Sequence, residues 1–398
     1  MPPTSLDHRL AQTLKRVGPL QPLDVTLPES RGTVLAADVV AEQPWPAFAT
    51  CAANGFAVRA ADVRPGASLA LIDPAVAGAQ GALAIGPGKA IAVQAGAPLP
   101  GAADTILAPT MVGRSGDQLQ VRTSAPQGSG ITAAGSVAPV GKVLIPRGTL
   151  VDDRCIGVLA ALGRSRVSVL PRPRVVMVSI GDSATERFGA LETSKTDDAA
   201  GLLLVASAAT QGGIPFRVGP ISNEPTLVAD TLDDQLVRAD LIVVVGGSDG
   251  DGSPVQTALR QLGDVSFEPS PTNLPAFGMG TLGTESAEII ALPPDPVASY
   301  LLFQLLARPI IQKMLGAPPQ KADSIRLGVD VPASPGHAQI LLVNLDAAGR
   351  AVPMATRHPN LMDLQSADGM IQVQPGLSVQ RRDSEVAIIR FANGPRGS

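Results

Sequence analysis

The chain has 398 residues, 45% of them hydrophobic but only 3% aromatic, which predicts two to four domains whose cores are built from Ala, Val, Leu and Ile. A formal net charge of -4 at pH 7 excludes a general nucleic-acid binder. Two cysteines, Cys51 and Cys155, and three histidines, His8, His337 and His358, have neither zinc spacing nor catalytic-triad spacing.

The opening "MPPTSLDHRLAQTLKRV" has no apolar centre of the kind a signal peptide needs, and no uncharged apolar run reaches membrane-spanning length. The expectation is a soluble cytoplasmic protein without direct membrane insertion. Leu10, Leu14 and Val17 recur at helical spacing, so a short amphipathic helix is expected over 7–17, capped from Thr4 or Ser5. From 23 to 148, short Val, Ile and Leu runs alternate with Pro and Gly, as in "AVQAGAPLPGAADTILAP". That pattern predicts a β-rich region. A helix is expected over 151–162, stopped by Gly163.

Strand and helix then alternate. "RVVMVSIGDS" reads as a buried strand and loop, 197–211 as an apolar helix and "FRVGPI" as a strand. A helix over 226–238 leads to "DLIVVVGGSDGDGSP", a strand with a glycine-rich loop. A helix over 255–262, the strand and loop "AEIIALPPDP" and a helix over 297–315 complete the series. This alternation predicts a parallel sheet covered on both faces, with ligands outside the carboxyl ends of the strands. From 324 onward the chain returns to short strands, a small β domain.

Three strand-end loops carry polar side chains. Ser248, Asp249 and Asp251 lie in the glycine-rich loop, where backbone N–H groups can cradle an anion. Two aspartates without a neighbouring cation would repel a bare phosphate, and a plain strand–helix connection capped by Ser253 or Asp251 explains the same residues. Asp182 and Ser183 end another strand, and Asp182 can hold a polar ligand or cap the next turn. Asp295 stands just before a helix, as an N-cap does. The chain has six lysines, none of them in these loops.

The combined pattern resembles the MoeA family, which includes the gephyrin E domain. The resemblance rests on Gly55-Phe56-Ala57-Val58-Arg59, on "AGAPLPGAADTIL", on "GKVLIPRGTLVDDRCIGVLAALGRSRVSVLPRPRVVMVSIGD", on "ADLIVVVGG" and "ALPPDPVASYLLFQLLARPIIQKMLG", and on "SADGMIQVQPG". It implies an elongated α/β plus β subunit in four parts: 1–45 with 130–165, a β-rich 46–129, a molybdopterin-binding-type α/β domain over 166–317, and a β domain over 318–398. It also implies a homodimer. The family's enzymes insert molybdate into adenylylated molybdopterin using Mg²⁺.

Against that pattern several charges are missing. Ala49 and Asn54 stand where the enzymes carry aspartates, and Val137 replaces another. Ser183 replaces a glutamate, and Ala95 a threonine. Ser270 and Asn273 occupy the positions of two lysines, while Asp198 is kept before its helix. Alanine and valine side chains supply no oxygen to Mg²⁺, and each lost charge-assisted contact removes about 1.5–3 kcal/mol.

The expectation is therefore a non-catalytic scaffold with no catalytic residue, no metal and no cofactor. A remnant ligand cleft would remain at Asn54, Asp182, Ser183, Asp198, Ser248, Asp249, Asp251, Asn273 and Asp295. Gephyrin grips a receptor peptide, and the actinobacterial gephyrin-like proteins bind the FtsZ tail in cell division. "TSLDHRL" is similar to the gephyrin segment at that cleft. The resemblance thus transfers Asp7 and Leu10, with Pro375 on the facing wall, as peptide contacts. Leu10 packing its helix onto its own subunit is the plainer alternative. The competing readings are a molybdopterin molybdenumtransferase, with Mg²⁺ and molybdopterin, and a small-molecule sensor using Asp182, Asp249 and Asp251.

Overall fold

The computed structural model describes residues 5–72, 84–181, 184–185, 196–247, 253–270, 272–284, 287–317, 323–356, 358–376 and 379–391. They form two compact units, each assembled from segments distant in sequence. One comprises Met1–Ala36, Gly148–Ile156 and Arg166–Ser398, and the other Ala37–Arg147 and Gly157–Ser165.

The smaller unit holds a six-stranded sheet in the order Thr105–Leu107, Gly55–Val58, Lys89–Val93, Ser68–Ile72, Gln118–Val121, Val112–Ser115. Leu69, Leu107 and Leu119 are buried on one side of it, and Ala57, Ile91 and Ile106 belong to a second cluster with Cys51. Burial raises the Cys51 thiol pKa, which keeps the group neutral and inert.

In the larger unit the chain begins with helix α1, Ser5–Arg16. The central sheet follows. Strand β1 is Arg174–Ile180, helix α2 Ala199–Thr210, strand β2 Ile214–Ile221 and helix α3 Pro225–Leu236. Strand β3 is Leu241–Val245, helix α4 Pro254–Leu262, and strands β4, β5 and β6 are Gly263–Glu268, Phe277–Leu282 and Ala287–Leu292. All five residues of β3 are buried. β-branched side chains fit that pleated surface, and burying each such side chain is worth about 1.5–3 kcal/mol.

The sheet order is β2-β1-β3-β6-β5-β4. The first four strands are parallel, as the alternation predicted, but β4 and β5 are antiparallel. The cause is connection length. Helix α4 runs straight into β4, and the links to β5 and β6 are too short for a crossover helix, so the chain can only double back. Both faces are covered. α1, α2 and the long helix after β6 pack on one, through Met177, Val243, Ile290 and Phe303. α3 and α4 pack on the other, through Val178, Val244, Leu232 and Leu259.

That long helix contains a break the sequence did not show. It runs as α5, Pro296–Leu302, a wide π turn over Phe303–Ala307, then α6, Arg308–Met314. Pro309 has no N–H to offer Leu305, and its ring crowds that carbonyl. Widening the turn accommodates both without ending the helix.

The C-terminal sheet contains strands β7, Asp323–Arg326, β8, Gln339–Leu345, β9, Ala351–Pro353, β10, Gly369–Val373, and β11, Glu385–Arg390, in the order β7-β11-β10-β8-β9. The architecture is thus a multidomain α/β plus β fold. No helix among the described residues is long and apolar enough to cross a membrane.

Two arginines fix α1 to β4, β5 and β6. The Arg9 guanidinium donates to the Ser266 carbonyl and hydroxyl, both at 2.7 Å, and to the Met279 carbonyl at 3.1 Å. It also lies 5.3 Å from the Phe277 ring centroid. Arg16 pairs in bidentate fashion with Glu288, both contacts at 3.1 Å. Glu288 is 6% exposed, and burial raises its pKa against the opposing pull of Arg16. A carboxyl whose folded pKa is raised stabilises the fold below its unfolded value, about 4.3, and that contribution is lost as pH rises through the folded value. Glu288→Gln removes this titration. Denaturant unfolding from about pH 4 to pH 7 should show the stability difference moving in the variant's favour as pH rises. A difference moving the other way would mean that the Arg16 pairing outweighs burial.

Candidate functional site

The carboxyl ends of β1, β3 and β6 and the N-termini of α2, α4 and α5 meet at one end of the sheet, where parallel α/β sheets take their ligands. Glycines permit the close approach there. Gly246 has φ +92°, and a Cβ on it would lie 2.2 Å from the Ile180 carbonyl oxygen. Gly247 has φ +64°, and its Cβ would meet Val255 at 2.5 Å. Side chains at either position would be strained in conformation and blocked in space.

Asp198 caps α2. One carboxylate oxygen accepts the Gly201 N–H at 2.8 Å, and the other accepts Arg217 Nη2 at 2.9 Å. The residue is 7% exposed, so burial of its charge is offset by a hydrogen bond and an ion pair together. Arg217 comes from β2, opposite Met177 of β1. Its neighbours Phe216 and Val218 pack into the α3–α4 core, so by strand alternation Arg217 projects toward α2. The Ser179 hydroxyl, 2% exposed, has no hydrogen-bond partner among the described residues. A Cβ on Gly201 would stand 2.2 Å from both Ser179 Oγ and Asp198 Oδ2. Three polar groups therefore converge on the first turn of α2 only because residue 201 is glycine.

The other sequence-derived positions are distributed as follows. Asp295 caps α5, accepting the Ala298 N–H at 2.7 Å, and Ser253 caps α4, accepting the Gln256 N–H at 3.2 Å. Asn54 lies in the smaller unit, its side-chain oxygen accepting the Ala95 N–H at 2.8 Å. Asn273 is turned to the C-terminal sheet, where its amide donates to the Ile340 carbonyl at 3.1 Å and accepts the Ile340 N–H at 2.7 Å. Asp182, Ser183, Ser248, Asp249 and Asp251 lie outside the described residues.

The residue that sequence reasoning missed is Arg217. It sits inside a strand, whereas cations were sought in loops. The signal available was an arginine midway along the otherwise uncharged run "IPFRVGPI", since a charge within a half-buried apolar strand gains from a partner.

Among the described residues, no three His, Cys, Asp or Glu side chains converge as metal ligands. Both oxygens of Asp198 are engaged, and Asp295 and Asn54 are committed to backbone N–H groups. The described residues do not fit a Mg²⁺ ion, and no chemical step is routed through one.

Asp7 and Leu10 of α1 line a cleft of about 1300 Å³ within the larger unit, with Leu305 and Arg308 of the long helix and Ile340 and Met370 of the C-terminal sheet. Leu10 also packs against the central core. Pro375 is exposed and is not part of that lining. Burial lowers the pKa of the Arg308 guanidinium.

This fold is MoeA-like. The structure superposes on a moeA protein of Pyrococcus horikoshii OT3 with a TM-score of 0.75 at 23% identity, covering 97% of this chain and 99% of that one. The model of the MoeA N-terminal region (domain I and II) matches residues 4–163. Molybdopterin molybdenumtransferase 1 of Mycobacterium tuberculosis H37Rv is 30% identical over 322 residues, 74% of this chain and 75% of the relative. Molybdopterin molybdenumtransferase 2 of the same strain is 28% identical over 373 residues, 89% of this chain and 91% of the relative. The chain belongs to the MoeA family, the molybdopterin molybdenumtransferases, to which the gephyrin E domain is related.

These relatives overturn the expectation of a non-catalytic scaffold holding an FtsZ tail. They are named for an enzyme activity, and nothing in the comparisons supports a scaffold. Loop charges alone do not decide the matter, because a strand can carry a cation: Arg217 of β2 pairs with Asp198.

Gly201→Ala tests the convergence at α2. On helix propensity alone the change should stabilise by about 1 kcal/mol. Here the added methyl collides with Asp198 and Ser179, and overpacking of this kind costs about 1–3 kcal/mol. Urea unfolding should therefore show a net loss of stability. A gain would mean that Asp198 is free to move aside.

Proposed function

We propose that this chain is a molybdopterin molybdenumtransferase, inserting molybdate into adenylylated molybdopterin. The observation that carries the reading is its relationship, over about three quarters of both chains, to a protein named for that activity. The geometry supports it: a buried aspartate, its arginine partner and a helix N-terminus lie together at the carboxyl ends of the strands, which suits an oxyanion-bearing substrate. The test uses the purified full chain with molybdate and adenylylated molybdopterin, and reads metal transfer by reconstitution of a molybdenum-free apoenzyme. Reconstitution above the protein-free background is expected. None, from folded protein, would overturn the reading.

The chain is further proposed to work as a homodimer in the cytoplasm. Several large apolar side chains stand exposed, among them Val140 at 60%, Phe48 at 56% and Leu150 at 53%. A partner surface that covered them would bury area of the kind that stabilises dimers. Sedimentation at micromolar protein should give twice the 40.6 kDa chain mass. A monomer at that concentration would rule the dimer out.

A further inference from the structure

We propose that Arg217 is the oxyanion-binding residue at the strand ends, positioned by Asp198, and that it takes a tetrahedral oxyanion of the substrate. The inference deepens the proposed function and rests on it for the identity of the substrate. The ligand chemistry, a tetrahedral dianion, is shared by molybdate and by a phosphate group.

Four observations lead to it. First, Arg217 stands on the α2 face of the sheet, at the register of Met177, three residues before β1 ends at Ile180. Second, its orientation is fixed. Asp198 holds Nη2 at 2.9 Å, and Asp198 is itself fixed by the Gly201 N–H at 2.8 Å. The arginine side chain keeps 20% exposure while the aspartate side chain keeps 5%, so the cation is the more accessible member of the pair, although its Nε is buried. A planar guanidinium held in place matches an oxyanion better than a flexible ammonium does.

Third, the N-terminus of α2 lies at the same point, and its dipole favours an anion. Fourth, and independently of the helix end, the Ser179 hydroxyl is 2% exposed, without a hydrogen-bond partner among the described residues, and set beside Asp198 in the cradle left by Gly201. A buried hydroxyl without a partner is disfavoured in a finished interior, and here it sits where ligand or displaced solvent would supply one. Residues 270 and 273, where the family pattern has lysines, are serine and asparagine, and Asn273 is committed to Ile340. Arg217, on β2 at the other edge of the sheet, carries a positive charge at a separate place, beside Asp198.

The experiment measures equilibrium binding of molybdate alone and of inorganic phosphate alone to the full chain, by calorimetry. Arg217→Ala should weaken binding about 10- to 100-fold, the worth of one charge-assisted interaction. Arg217→Lys keeps a charge for Asp198 and should fold, yet lose about tenfold because the planar fork is gone. Loss for molybdate only assigns Arg217 to the molybdate, and loss for phosphate only assigns it to the substrate's phosphate. Arg174→Ala is the control. Its partner Asp240 lies at the opposite end of the sheet, and its affinity should equal that of the wild type.

Asp198→Asn should weaken binding too, and the double variant with Arg217→Ala should lose no more than Arg217→Ala alone, because Asp198 acts through the arginine. Full additivity would remove Asp198 from the proposal. A folded Arg217→Lys and a folded Arg217→Ala that both bind like the wild type would overturn it. Wild-type protein that binds neither probe but inserts molybdenum would also overturn it, leaving the proposed reaction standing. Oxyanion binding that depends on Arg217 without any insertion would keep this inference and overturn the proposed reaction.

Discussion

A buried charge must be matched where it lies, and that constraint organises the strand-end site. Asp198 is nearly removed from solvent, so its carboxylate requires partners in place. The Gly201 N–H and the Arg217 guanidinium meet that need, and in doing so they fix three elements against one another. The residue caps α2, holds an arginine of β2 and borders the end of β1. The glycine at 201 follows from the same crowding, because a Cβ there would collide with Asp198 and Ser179.

The central sheet illustrates what a single sequence exposes and what it conceals. The apolar runs "RVVMVSI" and "LIVVV" announce buried strands by composition, and the Asp295 cap is legible because Asp-Pro before an apolar run has one favoured local reading. The antiparallel pair β4 and β5 is not legible, because direction is set by connection geometry and by partners distant in sequence. The π turn before Pro309 is hidden for a related reason. Proline inside an apolar run signals a break, but whether the helix ends or widens is decided by the core around it.

The site was legible in part. Asp198 could be found from its place before a helix. Its partner Arg217 could not be paired with it from sequence, since 19 residues and a turn separate them. Asn273 shows what a position in a pattern does not reveal: its amide is turned to another sheet, where it bonds to Ile340. Charge counted along the chain describes loops well and says little about which side chains converge. That is why a chain stripped of loop lysines still carries a cation at its strand ends.

The Asn273 contact has a consequence for how the protein survives at high concentration. Strand β9 covers only the Val343–Leu345 end of β8. Beyond it, the N–H and C=O of Ile340 would face outward on an open edge. The Asn273 side chain closes them with the two bonds a neighbouring strand would make, and Thr272 extends the cover as a bridge to Ala338. An uncovered strand edge is a template on which another chain can add. One asparagine amide thus stands in for a missing strand and shields β8 from cross-chain stacking, which makes position 273 a determinant of colloidal behaviour as well as of shape.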